Sequence, residues 1–282
     1  MDYKDFCRTR YDEIFEEELA KSACTSSEAR ERFAQKAAIG RAGTEAMLSY
    51  RDVSPDVLWK CIHTAHIARK SGVSISSEQV EKVVSAENSW KKSSGHAFEE
   101  MICRVSESLL QDTDISFVLQ RDLSRLIGSG AIANDQRDMT WLADRMESGA
   151  FDLYAIVQHD GRQSVFGCIQ SKTSIRDRVT RDREPSIQAM EAFFWSIAVV
   201  LDGDFLRMPK FKGMVNGGTA LFPKNGWHGV YVFSDIASVD RIYADGVDTP
   251  LLRAHAIEAA NQWLHNRQWF DQDWRGSEIV SI

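Results

Sequence analysis

The chain has 282 residues, 43% hydrophobic and 27% charged, with a formal net charge of −7. A chain of that length can bury a full core, and its ordinary composition excludes wholesale disorder. No apolar run approaches the roughly 18 residues that a membrane-spanning helix needs. The N-terminus is acidic and amphipathic and lacks the apolar stretch of a signal peptide. Cys7, Cys24, Cys61, Cys103 and Cys168 are odd in number and scattered, which suits a reducing compartment and neither a disulfide framework nor a zinc site. A cytoplasmic location is expected.

In chain order, residues 1–94 read as a helical region. Glu13–Lys21, Ser27–Tyr50 and Pro55–Lys70 carry apolar residues at three- and four-residue spacing. Ser54-Pro55 is a helix start, with proline at the first helical position. A further helix begins near Ser76 or Ser77, and helical spacing resumes from Gly95 through Phe98, Met101, Ile102, Val105 and Leu109. Residues 95–282 read as a second region, in which 111–148 are less regular, with a short strand at Ile115–Gln120 and a short helix near Thr140–Glu147.

The pattern then changes. Phe151–Gln158 (FDLYAIVQ) has the length and the β-branched and aromatic content of a buried strand. His159-Asp160-Gly161-Arg162 supplies an Asp-Gly turn, and Ser164–Gln170 is the returning strand. Beyond it, an apolar helix is expected from Pro185 to about Leu201, with Ile187, Met190, Phe194, Ile197, Ala198 and Leu201 on its face. Strands are expected at Phe211–Val215 and Gly229–Phe233, and a last helix at Leu251–Trp269. The fold class is α/β (α+β): a mixed central sheet flanked by helices, preceded by the helical region.

The acidic balance weighs against a nucleic-acid partner, since phosphate binding wants a basic surface. Locally it reverses: Lys172, Arg176, Arg178, Arg181 and Arg183 face only Asp177 and Asp182 over that stretch. Asp152, at the start of the hairpin, and Lys172, on its second strand, form a recognisable pair. Adjacent strands lie about 4.8 Å apart, so such a pair can flank one metal ion. Phosphodiester hydrolysis needs a divalent cation, and Mg2+ takes oxygen ligands, usually one or two carboxylates plus waters. Asp152 would hold the ion while Lys172 orients or helps deprotonate the attacking water. The residue two before the lysine is Gln170, a poor Mg2+ ligand, so a second carboxylate must come from elsewhere. Glu184 and Glu191 are the candidates. Glu99, one position after Phe98 on a helix, is a further candidate as a second-metal or supporting group. His63 and His66, three residues apart, lack a third ligand and read as helix packing; Trp263, Trp269 and Trp274 read as packing or interface aromatics.

The string Lys172-Thr173-Ser174-Ile175-Arg176-Asp177-Arg178 resembles the signature of the type II restriction endonucleases that cut sites containing CCGG, the BsaWI-like or AgeI-like members of the PD-(D/E)xK class. In that family the catalytic lysine is followed by Ser/Thr, an aliphatic residue and an Arg-(x)-Asp/Glu-Arg element. The resemblance covers about Glu99 to Leu201. It implies a restriction-endonuclease-like core and a bacterial protein of a restriction-modification system. It also implies Mg2+-dependent cleavage of double-stranded DNA at a palindromic site, leaving 5′-phosphate and 3′-hydroxyl ends. Arg176, Asp177 and Arg178 would read the CCGG core in the major groove, where arginine donates bidentately to guanine and a carboxylate accepts from cytosine N4. The family takes its second carboxylate from the helix after the arginine element, which would make Asp152 and Glu184 the metal ligands, with Glu191 in reserve. Arg181, Asp182 and Arg183 would contact phosphate or share the base reading. Asn88, Lys91 and Lys92 would approach the minor groove. A palindromic target implies a homodimer on DNA, with a tetramer as the higher assembly and residues 1–94 embracing DNA or forming the dimer. Two alternatives stay open: a structure-directed repair or recombination nuclease of the same fold, and a DNA-binding protein with a decayed site.

Overall fold

A computed structural model describes residues 2–24, 26–71, 77–174, 179–234, 236–244 and 250–277. The chain divides into two compact units, 1–104 and 105–282. The division falls some way beyond the expected boundary at 94/95, inside a single long helix.

The first unit is built from α1 (Tyr3–Lys21), α2 (Ser27–Ser49), α3 (Pro55–Ser71) and most of α4 (Ser77–Leu110). Each start carries a local signal. Asp2 accepts from the Lys4 amide at 2.6 Å, Ser26 accepts from the Ala29 amide at 3.1 Å, and Pro55 opens α3, which satisfies N–H groups that a helix end otherwise leaves orphaned. Small residues on α2 (Ala34, Ala38, Ala42, Ala46) are fully buried and let neighbouring helices approach closely. At Gly43 a Cβ would meet the Trp59 ring at 3.3 Å, so this glycine makes room for the largest side chain of α3. The helices starting near Ser77 and at Gly95 turn out to be one element, because Gly95 weakens a helix without ending it.

The second unit carries a six-stranded mixed sheet in the order β1 (Ile115–Leu119), β2 (Leu153–His159), β3 (Arg162–Ser174), β4 (Trp195–Asp202), β5 (Gly229–Val232) and β6 (Ile242–Ala244). The β1–β2–β3 portion is antiparallel, and β3 through β6 run parallel. Among the described residues it is accompanied by the helices α5 (Gln120–Gly128), α6 (Gln136–Ser148), α7 (Val179–Glu191), α8 (Pro209–Asn216) and α9 (Pro250–Asn266). The hairpin turn is as expected, with Asp160 and Gly161 both at positive φ, 50° and 74°, as a two-residue turn matching strand twist requires.

Two expected elements are corrected. The helix from Pro185 to Leu201 is instead α7, which contains Pro185, followed by β4. Helical spacing of Phe194, Ile197, Ala198 and Leu201 is incidental within Trp195–Leu201, which is buried at every position. A continuous apolar run with Ile197, Val199 and Val200 is what a central strand with parallel neighbours needs. Between the two elements the chain reverses at Phe193, a non-glycine residue at φ 63°, where the Phe194 amide reaches back to the Ala189 carbonyl at 2.9 Å. The strand expected at Phe211–Val215 is α8. Pro209 in its first turn and the spacing of Phe211, Met214 and Val215 are helix signals, and Gly217 at φ 73° ends it. Both α5 and β6 lacked a legible sequence signal.

Three buried histidines share one hydrogen-bonding pattern. Nδ1 is bonded to Tyr11 in His66, to the Ser196 amide in His228 and to Tyr231 in His255. Nε2 donates to a backbone carbonyl, of Ala86, Asp271 and Ser277 respectively. The Ser196 amide can only donate, so His228 must be neutral, since Nδ1 cannot accept once protonated. Burial lowers the pKa of all three, that of His228 from 6.5 to about 3. The unfolded chain binds these protons below about pH 6.5 and the folded chain refuses them. The stabilisation is therefore complete above pH 6.5 and is lost as pH falls from there toward 3. At pH 5 His228 alone should cost about 2 kcal/mol. Urea unfolding at pH 7.0 and 5.0 checks this, because carboxylates hardly titrate in that window; equal stabilities at the two pH values would refute it.

Candidate active site

The candidate site is built where α6 stops. Gly149 takes the left-handed conformation (φ 62°), and the Ala150 amide closes back on the Arg145 carbonyl at 3.2 Å, a glycine-terminated helix end. Phe151 follows, 1% exposed and packed beside Trp141 and Tyr154. With Phe151 anchored, Asp152 is delivered to the very start of β2. Its backbone is held on both sides: its amide donates to the Ile169 carbonyl at 3.0 Å, and its carbonyl accepts from the Gln120 amide at 3.4 Å.

On β3 a bulge opposite Ala155/Ile156 adds one residue, Phe166. The bulge resets the alternation, so Val165 and Cys168 both face the apolar cluster that includes Ala189 and Phe194. From Cys168 onward every second residue, Gln170 and Lys172, shares that face. The Asp152 Oδ2 accepts from the Ser171 amide at 2.7 Å and lies 3.4 Å from the Lys172 ammonium. The central pair is thus on one side of the sheet and in contact. Beneath it the environment is apolar: burial raises the pKa of the Tyr154 phenol and of the Cys168 thiol, so both stay protonated and uncharged under the ion pair.

The second carboxylate beside Lys172 belongs to Asp182, whose Oδ2 lies 3.7 Å from the ammonium. Glu184 is exposed, and its Oε1 accepts from Gln188 at 3.2 Å. Two residues along an α-helix turn a side chain through about 200°, so with Asp182 directed at Lys172 its neighbour Glu184 is directed away. Glu191 is exposed at the last position of α7, about 13 Å further along the helix axis than Asp182. The expectation of Glu184, with Glu191 in reserve, is therefore not the arrangement this geometry assembles. Asp182 is expected to act with the neighbouring arginines, whereas here it lies beside the Lys172 ammonium; its position in the first turn of α7 is the signal that finds it.

Gln170 explains why no carboxylate stands at its position. The side chain is 1% exposed and fully engaged. Its amide nitrogen donates to the carbonyls of Ala150 at 3.2 Å and Asp182 at 2.9 Å, and its oxygen accepts from the Trp227 indole at 2.8 Å.

The other expected residues scatter. Arg181 is exposed. Arg183 is turned into the fold, donating to the carbonyls of Met214 at 3.1 Å and Lys224 at 2.5 Å and lying over the Phe222 ring. Burial lowers its pKa, and these bonds make it a brace from α7 to α8 and to the loop after α8. Arg176, Asp177 and Arg178 lie outside the described residues, as do the side chains of Lys91 and Lys92. Asn88 is exposed on α4. Glu99 belongs to the helical unit, where His96 Nδ1 approaches its carboxylate at 3.2 Å.

Comparison with known proteins places this geometry in context. The family model for the type 2 restriction endonuclease BsaWI matches residues 132–269. Among solved structures, the restriction endonuclease BsaWI in a pre-specific complex with DNA is 50% identical, with 99% of this chain and 100% of that chain covered and a TM-score of 0.70. The restriction endonuclease AgeI, in a specific complex with DNA, is 18% identical, with 90% of this chain and 91% of that chain covered and a TM-score of 0.62; that likeness is one of fold. No curated protein sequence matches the chain.

Proposed function

Because this chain belongs to the family of type II restriction endonucleases represented by BsaWI, we propose that it cuts double-stranded DNA at a palindromic site containing CCGG, with Mg2+, leaving 5′-phosphate and 3′-hydroxyl ends. One observation carries the chemistry: two carboxylates, Asp152 and Asp182, converge on the ammonium of Lys172 at 3.4 and 3.7 Å. This donor set suits Mg2+, which takes one or two carboxylates and keeps its remaining ligands as water. It does not suit a soft metal, and no cluster of three or more His, Cys, Asp or Glu occurs among the described residues.

Asp152 and Asp182 would hold the ion. When bound, it supplies neutralisation of charge developing on the phosphate and a lower pKa for water. The chain's own groups do the rest. The Ser171 amide fixes Asp152 by donating to Oδ2, leaving the other oxygen available. Lys172, half-buried between two carboxylates, can donate to a phosphate oxygen and hold the attacking water in line with the departing 3′ oxygen. Arg176, Asp177 and Arg178 would read the guanine and cytosine edges, and Arg181 would contact phosphate. Asn88, Lys91 and Lys92 would approach the minor groove, and Glu99 would act as a supporting group. That BsaWI and AgeI were both solved on DNA supports duplex DNA as the partner. A palindrome calls for a two-fold homodimer, or a tetramer made of two such dimers, on DNA.

Digestion of plasmid DNA with the purified protein and Mg2+, followed by sequencing of the ends, tests this reading. Discrete fragments whose ends share a CCGG core are expected. Nicks confined to junctions or lesions would point to a structure-directed nuclease. Duplex binding with no product would point to a decayed site.

A further inference from the structure

We propose that Gln170 is a positioning residue which sets the two metal-binding carboxylates relative to each other, and that a glutamate at this position would impair the enzyme although it would complete the usual carboxylate-x-lysine pattern. The inference rests on the nuclease reading above. It goes beyond it by assigning work to the one residue at which this chain departs from that pattern.

A primary amide offers two donors and one acceptor oxygen. Both donors of Gln170 end on backbone carbonyls, of Ala150 and Asp182, and its oxygen is taken by the Trp227 indole. The oxygen keeps a second lone pair, but the side chain is 1% exposed and the indole bond fixes where that oxygen points. Gln170 is thus held as a structural amide, and its uncharged oxygen is a poor Mg2+ ligand.

Next comes what the bonds connect. Ala150 closes the end of α6, with Phe151 and then Asp152 following it; Asp182 is in the first turn of α7. One planar amide therefore ties the backbone preceding one carboxylate to the backbone of the other, while Lys172 stands two residues along the same strand face. The third contact locks the amide's orientation. Trp227, 3% exposed, can only donate through its indole nitrogen, so the amide oxygen must face it and the NH2 must face the two carbonyls. A glutamate carboxylate could still accept from Trp227. It would also set a negative oxygen against two carbonyl oxygens and lose both of those hydrogen bonds in a buried place, which is unfavourable on each count.

The experiment compares wild type, Q170E, Q170M and W227F on a duplex carrying the site mapped by plasmid digestion. Single-turnover cleavage is followed across a Mg2+ titration, duplex affinity is measured with Ca2+, and melting is recorded. For Q170E the expected result is a 10- to 100-fold lower rate at saturating Mg2+ and a raised Mg2+ half-saturation, with duplex affinity within threefold of wild type. Q170M should behave similarly without the added charge. W227F, which frees the amide to rotate, should show a smaller loss of the same kind. Wild-type-like or faster cleavage by Q170E would overturn the proposal, because it would make position 170 an available ligand site. A lowered melting temperature with unchanged saturating rate and unchanged Mg2+ dependence would overturn it too, by reducing Gln170 to a stability element. If wild type itself releases no product, the nuclease reading fails and this proposal falls with it, an outcome distinct from active wild type with an equally active Q170E.

Discussion

Replacing Lys172 with alanine is expected to lower single-turnover cleavage by about three orders of magnitude, the scale seen when a preorganised charge is removed from developing negative charge. Duplex binding should survive, because binding draws on many phosphate and base contacts and the half-buried Lys172 is engaged by Asp152 and Asp182 at 3.4 and 3.7 Å. The same geometry predicts a second effect of opposite sign. Lys172 is a cation that both carboxylates face, so its loss removes a positive charge from between two like charges. Divalent ions should therefore bind the K172A protein at least as tightly as wild type, and Ca2+ should raise its melting temperature by more. Cleavage within tenfold of wild type would remove Lys172 from the chemistry. Weaker Ca2+ binding by K172A would argue that the two carboxylates do not share an ion.

How legible this was from the residues differs by element. The Asp152/Lys172 hairpin was readable because its signals are local: a turn dipeptide requiring positive φ, and two short strands of β-branched and aromatic residues around it. The helices of the first unit were readable for the same kind of reason, being long and capped. What misled was periodicity inside a wholly buried segment. In Trp195–Leu201 every residue but Ser196 is apolar, so a helical period can be found in it, and β4 passes for a continuation of α7. That error carried a cost at the site, because a helix beginning at Pro185 leaves Asp182 in the loop with the arginines. A helix spanning Val179–Glu191 puts it in the first turn, beside the strand that bears Lys172. The role of Gln170 was legible only as a gap. Its partners Ala150, Asp182 and Trp227 are far apart in sequence, and only the three-dimensional arrangement shows that both ends of the amide are in use.

The identity of the second carboxylate is decided by a pair of near-isosteric substitutions. D182N should reduce single-turnover cleavage by at least two orders of magnitude and raise the Mg2+ half-saturation. An amide oxygen carries no charge to hold the ion, and the exchange keeps the volume next to Lys172. The helix contributes to the loss as well, since an acidic residue in the first turn favours α7 through the macrodipole. That contribution is only about 0.3–1 kcal/mol and would appear in melting rather than in Mg2+ dependence. E184Q, by contrast, changes an exposed side chain that faces Gln188 and points about 200° away from Asp182 around the helix. Its cleavage rate should stay within about threefold of wild type. The reverse outcome, with E184Q inactive and D182N active, would mean that α7 turns through half a revolution when DNA binds. Asp182 would then exchange places with Glu184, and the contact between Asp182 and Lys172 would belong to the DNA-free state alone. Measuring both variants in one Mg2+ titration separates these cases, because a ligand shifts the half-saturation and a bystander does not.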